Sequence, residues 1–326
     1  MSELLVLGAD AVRSLLPLNR CIDLMGEALA GLARGEGLNP LRSGYRLPGG
    51  NGLIATMPGS IGGEFGAKVI SVFPGNRSVG LESHQGVIVL FEREHGTPIA
   101  VVDAAAVTAI RTAAVSGLAT RALARPEVSR LAILGSGTQA RTHLEAMLAV
   151  RPIRSVRAWS PTREHLDDFV REAAERWAID VEAAASAEAA VEGADLVCTV
   201  TASSEPVMHG AWLGAGTHVN AVGSSVPSAV ELDADAVARS RFFVDRRESA
   251  LNESGDLLAA MRVGAVDESH IVAELGEVLV GTSPGRATDT EITVFESLGL
   301  AVEDLAAAAE VVRAAKQGGA GSAVDL

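Results

Sequence analysis

The stretch that most constrains the fold is Gly135-Ser136-Gly137-Thr138-Gln139-Ala140, which follows the apolar run 131–134 directly and opens a helical one. In a strand–turn–helix of this form, Gly135 permits the tight turn and Gly137 lets a pyrophosphate approach the backbone. Ala140 lets helix and strand pack closely, and the amides at the helix start, Thr138 and Gln139 among them, face the phosphates. A lone glycine pattern carries little weight. Here the next strand, 156–158, follows at the distance a βαβ unit requires. Strand-like and helical runs then alternate to about residue 245, which argues for a parallel sheet. The sequence thus predicts an α/β fold with a Rossmann dinucleotide-binding domain.

About twenty residues beyond the motif, an NAD-preferring site places an acidic residue on the ribose hydroxyl. Here Ala158-Trp159-Ser160-Pro161-Thr162-Arg163 offers no carboxylate. Ser160 and Thr162 can hydrogen-bond a 2′-phosphate and Arg163 can pair with it, so NADP(H) is favoured, with NAD(H) as the alternative.

The remainder of the chain has a different texture. Residues 10–34 carry apolar side chains at helical spacing, ending at Gly35-Glu36-Gly37. From 42 to 103, runs rich in Val and Ile (53–57, 67–73, 87–91 and 99–102) read as strands, the last two as a hairpin across 92–97. Residues 104–124 are helical, as are 302–316, and the Gly-rich tail 317–322 is expected to be disordered. A length of 326 residues suits two domains. The formal charge of −14 is spread along the chain without a basic block, which speaks against nucleic acid as a partner. Cys21 and Cys198 are isolated among apolar residues and read as buried fillers rather than a disulfide or a metal site. With no basic leader and no long apolar span, a soluble cytoplasmic protein is expected.

Several further stretches resemble one family. They are Gly66-Ala67-Lys68-Val69, Ser83-His84-Gln85, Ile110-Arg111-Thr112-Ala113-Ala114, the glycine motif, Asn220-Ala221-Val222-Gly223, Glu231-Leu232-Asp233, Glu253-Ser254-Gly255-Asp256, Glu274-Leu275-Gly276-Glu277 and Thr293-Val294-Phe295 through Ser297-Leu298-Gly299 to Glu303-Asp304. Together they resemble the ornithine cyclodeaminases and mu-crystallins, a family that includes amino-acid dehydrogenases and ketimine reductases. The resemblance implies a Rossmann domain over 115–300. It also implies a second α+β domain for substrate binding and dimerisation, built from 1–114 and completed by 301–326.

By motif position, the resemblance places the substrate carboxylate on Arg42, Lys68 and Arg111. Guanidinium groups suit bidentate carboxylate binding, and Lys68 interrupts an apolar strand, where a charge needs a reason. Ser83, His84, Arg111 and Thr112 match positions near the cofactor, and Thr201, Val222, Gly223 and Ser225 fall at the carboxyl ends of later strands, where ligands of open α/β sheets sit. Ser297 lies in the family's nicotinamide motif, while Glu296 stands where mu-crystallin-like sequences carry lysine. Ornithine cyclodeaminases place an acid/base Asp two residues before the proline matching Pro227. This chain has Ser225 there, whose hydroxyl stays neutral near pH 7, as in ketimine reductases. The resemblance therefore implies an NAD(P)H-dependent reductase of small α-imino acids, such as pyrroline-2-carboxylate or piperideine-2-carboxylate, working as a homodimer. An ornithine-cyclodeaminase-type ammonia-lyase or hydroxy-amino-acid dehydratase, and a non-catalytic NADP(H)-dependent carboxylate binder, stay open as alternatives.

Overall fold

The computed structural model describes residues 3–325. The chain forms two compact units, Met1–Arg111 with Leu300–Leu326, and Thr112–Gly299.

The first unit contains β1 (Glu3–Leu7), α1 (Ala9–Leu15), α2 (Leu18–Ala33), β2 (Gly37–Leu38), β3 (Ser43–Arg46), β4 (Leu53–Ile61), β5 (Glu64–Val72), β6 (His84–Phe91), β7 (Pro98–Asp103) and the start of α3 (Ala104–Leu123). The helical periodicity of 10–34 resolves into two helices because Pro17 cannot continue the first and instead caps the second. The face of α2 bearing Cys21, Ile22, Met25 and Leu29 is buried. The sheet runs from a C-terminal strand, Ser322–Asp325, through β1, β7, β6, β5 and β4 to β2, with β3 paired to β4. The expectation of a disordered tail is thus wrong. The final helix continues from Ala301 to Gly318, turns at Gly319 (φ 68°), and returns the chain to pair antiparallel with β1. The Gly-rich segment serves as a turn, and the strand after it is held by backbone hydrogen bonds rather than by apolar burial.

Two glycines set the height of that final helix above the sheet. Gly59 and Gly66 lie directly opposite each other on β4 and β5. A Cβ on Gly59 would come 3.0 Å from the Ala301 Cβ, and one on Gly66 would meet Val89 O at 2.0 Å and Leu305 Cδ2 at 3.1 Å. The first turn of the helix therefore comes down onto the sheet next to Lys68, two residues beyond Gly66 and on the same face.

The second unit contains β8 (Arg130–Leu134), α4 (Thr138–Val150), β9 (Ser155–Trp159), α5 (Arg163–Trp177), β10 (Val181–Ala183), α6 (Ala187–Val191), β11 (Leu196–Thr199), β12 (His218–Ala221), α7 (Ala234–Ala238), β13 (Arg241–Val244), α8 (Arg247–Glu253), α9 (Gly255–Arg262), β14 (Ile271–Glu274), α10 (Leu275–Leu279) and β15 (Thr293–Glu296). All its strands are parallel, in the order β10-β9-β8-β11-β12-β15-β13-β14. The winding reverses between β8 and β11, the switch point at which ligands of such sheets bind. The central strands β11, β12 and β15 are buried on both faces, and Phe242, Val219 and Val294 are fully enclosed in the core. Both cysteines are buried free thiols. Among the described residues, no helix is long and apolar enough to cross a membrane.

Candidate functional site

In the first unit, the charge that interrupts β5 has its reason. Lys68 is 3% exposed, and its Nζ donates to Thr108 Oγ1 at 2.6 Å and to the Asp304 carboxylate at 3.1 and 3.2 Å. Thr108 stands one helical turn before Arg111 on α3. Arg111, 4% exposed, donates from Nε to Asp304 Oδ1 at 2.8 Å and from Nη1 to Glu303 Oε2 at 3.0 Å. Burial pushes Lys68 down to about 8, opposed by Asp304 and assisted by Arg111 and the half-buried Arg42. Asp304 is held below the usual carboxylate range because Arg111 and Lys68 outweigh its own burial. Three cations around two acids make a positive locus suited to a small carboxylate.

Lys68, Arg111 and Arg42 are thus brought together, whereas Ser83 and His84 stand apart from this cluster. His84 opens β6 on the exposed surface, its Nδ1 3.0 Å from Ser83 Oγ. It lies four residues, about 13 Å, from the position opposite Lys68. Asp304, Glu303 and Thr108 were missed as functional residues. Two acids in a helix's first turn ordinarily read as dipole partners. The available signal was that residues 305–312 of this helix are small or apolar apart from Glu310, the composition of a helix packed on most sides.

In the second unit, Gly135 adopts φ 126°, and a Cβ there would come 2.7 Å from Val200 O. A Cβ on Gly137, by contrast, would meet nothing of the protein within 4 Å. That glycine is required by nothing in the fold, as expected where a ligand approaches the backbone. Gly137 caps α4 without a side chain, leaving the amides of Thr138 and Gln139 at the open helix start, while Ala140 is fully buried. Ser136 Oγ donates to Ser160 Oγ at 2.9 Å, tying the glycine turn to the end of β9. Thr162 caps α5 without using its hydroxyl, and Arg163 is exposed in an i,i+4 pair with Asp167. Arg141, missed from the sequence, donates to the carbonyls of Ser136 and Gly137 at 2.7 and 3.1 Å and fixes the turn from beneath.

The ends of β11, β12 and β15 carry a second group that the sequence reading left without a role. Glu231 is fully buried and accepts from Thr199 Oγ1 (2.7 Å), Thr201 N (2.5 Å) and Gly223 N (2.7 Å). Asp256 accepts from the amides of Glu231 and Leu232 at 2.7 and 3.0 Å. Ser224 Oγ lies 2.8 Å from Asp256 Oδ2 and 2.7 Å from Glu296 Oε1. A hydroxyl has one hydrogen to donate, so one of these two acids carries a proton. Burial, and then the neighbouring acids, raise Asp256 to about 7 and Glu296 well above its ordinary value. Glu296 is wholly enclosed and therefore not a ligand-facing residue. Val222 and Thr112 are buried, Ser225 is half-buried in the loop after β12, and Ser297 Oγ is enclosed without a hydrogen-bond partner.

Residues 2–319 match the model of the ornithine cyclodeaminase/mu-crystallin family. Mouse ketimine reductase mu-crystallin is 38% identical over 86% of this chain and 87% of its own length. Thermococcus litoralis Δ1-pyrroline-2-carboxylate reductase, solved with NADH and L-proline, superimposes with a TM-score of 0.95 at 36% identity, covering 98% of this chain and 100% of that one. An archaeal alanine dehydrogenase, solved as a dimer with bound NAD, gives a TM-score of 0.94 at 32% identity over 99% of both chains. With a family model spanning nearly all of its length and relatives above 30% identity across both units, the chain belongs to the ornithine cyclodeaminase/mu-crystallin family.

Proposed function

We propose that this protein is an NAD(P)H-dependent reductase of small α-imino acids, with cyclic ketimines such as pyrroline-2-carboxylate or piperideine-2-carboxylate as substrates. The observation that carries the reading is the buried Lys68–Arg111 pair organised on Asp304, a cationic locus inside an otherwise apolar sheet face. Arg42 and Arg111 hold the substrate carboxylate, and Lys68 orients the substrate and stabilises its charge. The imine carbon accepts a hydride and the nitrogen a proton, yielding a secondary amine such as proline or pipecolate. When bound, the reduced nicotinamide supplies that hydride. The names of the mouse and Thermococcus relatives support the same chemistry.

The open backbone at Gly137 and the free start of α4 fit a dinucleotide, with Gly135, Gly137, Thr138, Gln139 and Ala140 at the pyrophosphate. Ser297, Val222, Gly223, Thr201, Ser225 and Thr112 are assigned to the nicotinamide half, and Ser83 and His84 to the cofactor by family position. For the adenosine ribose we favour NADP(H). Ser160, Thr162 and Arg163 present donors and no acid, although the two solved relatives described above carry NADH and NAD. A homodimer fits the exposed apolar pair Tyr45 (67% exposed) and Ile54 (41%), which stand directly opposite each other on β3 and β4. Ser225 in place of an acid disfavours the lyase reading.

The test is oxidation of NADPH and of NADH with each cyclic imine, beside an ornithine plus NAD⁺ reaction. Rapid imine-dependent oxidation is expected, faster with NADPH, and Arg163→Ala should reduce the NADPH rate alone. The Lys68→Ala variant should lose turnover while still binding NADPH. Ammonia and proline from ornithine, with silence toward every imine, would overturn the reading.

A further inference from the structure

We infer that Glu231 is a positioning residue that holds the nicotinamide half of the dinucleotide site. This rests on the assignment of the second unit to a dinucleotide. The glycine turn follows β8, and the ribose-reading residues follow β9. In a sheet of this winding, the nicotinamide end then falls on the other side of the switch point, over the ends of β11 and β12. The segments leaving those two strands carry Thr201, Val222, Gly223 and Ser225, and one carboxylate binds both. Glu231 Oε1 takes the Thr201 amide, and Oε2 takes the Gly223 amide together with the Thr199 hydroxyl.

The fit leaves no slack. A Cβ on Gly223 would sit 2.1 Å from Thr201 O and 2.6 Å from the Glu231 carboxyl, so the two segments and the acid are already in mutual contact. Glu231 is itself fixed from behind. Its amide is held by Asp256 Oδ1, and Ser224, next to Gly223, is held by Asp256 Oδ2 and Glu296. Val230 N donates to Ser203 O, and Gly255 N to Ser224 O. The loop 223–230 is therefore pinned at both ends, with Ser225 between the pins. Glu231 is buried, and its effect on the cofactor runs through the backbone it positions.

The Glu231→Gln variant tests this, because its NH2 sets a donor against the amide of Thr201 or Gly223. Dissociation constants are measured on the full-length protein by NADPH fluorescence, and by competition with ADP-ribose and its 2′-phosphate, which probe the adenosine half alone. NADPH affinity should fall on the order of tenfold while the adenosine probes bind as before. The Thr199→Val variant, which removes one of the three donors and leaves the acid, should show a smaller loss in the same direction. It decides the matter if Glu231→Gln does not melt cooperatively. Unchanged NADPH affinity in the folded variants, or an equal loss for both kinds of probe, overturns the inference. A parent protein that binds neither NADPH nor the adenosine probes overturns the dinucleotide reading instead.

Discussion

Asp304 touches both Lys68 and Arg111, and it is the group that fixes the two side chains together. Removing a buried counter-ion costs more than the pair contributes, because it strands charge in a low-dielectric interior. An Asp304→Asn substitution should therefore destabilise the protein by about 3–5 kcal/mol in urea denaturation. Lys68 and Arg111 would lose their fixed geometry, so KM for the imino acid should also rise. The same electrostatics set a pH limit. With Lys68 brought down to about 8 by burial, a substrate carboxylate finds it charged below that pH and neutral above it. In a kcat/KM profile, activity should hold up to about pH 8 and then fall by roughly tenfold per unit, and Lys68→Arg should remove that limb. Lys68 was legible in the sequence because a lysine inside an apolar strand is costly, whereas Arg42 and Arg111 were marked only by the family resemblance. Their acids were not legible, since a first-turn Glu-Asp pair has an ordinary explanation in the helix dipole.

Among elements, the final helix depends most on what lies beneath it. Gly66 faces it without room for a methyl group, so Gly66→Ala must displace either β6 or the helix. A loss of about 1–3 kcal/mol is expected, with a matching fall in activity as Asp304 lifts from Lys68. Equilibrium unfolding and steady-state rates of the variant check both. Gly59→Ala should be milder, since its tightest contacts are 3.0 Å rather than 2.0 Å. Elements with a strong period were readable from sequence: α2 by its apolar stripe, β5 to β7 by Val and Ile between turns, and β8 to β13 by alternation. β1 and the strand Ser322–Asp325 escaped because they are short, the latter fully exposed, and pairing gives them their structure, β1 with β7 and the last strand with β1. β14 and β15 escaped because four residues are too few for a period to show in the sequence.

At the scale of the molecule, the second unit encloses a cluster of Glu231, Asp256 and Glu296, at least one of them protonated. Asp256, raised to about 7 by burial and by Glu231, keeps a proton in the folded state that the unfolded chain gives up near pH 4. The folded state thus binds more protons between those values, and this contribution to stability is lost as pH rises from about 4 to about 7. Glu296→Gln, which removes an acid facing Asp256, should make the dependence of Tm on pH shallower across that window. An unchanged slope would place the titration elsewhere. The sequence marked these acids only as motif positions, because no local pattern shows that loops from distant segments meet around them. The division of the chain has a further consequence, for the order in which the protein is made. Lys68 and Arg111 leave the ribosome with their unit nearly complete, but Asp304 follows about 190 residues later, on the order of 10–40 s at ordinary rates of synthesis. Until then the sheet face that the final helix covers stays open to water, with Lys68 and Arg111 still hydrated. The centre formed by Lys68, Arg111 and Asp304 is therefore among the last parts of the molecule to close.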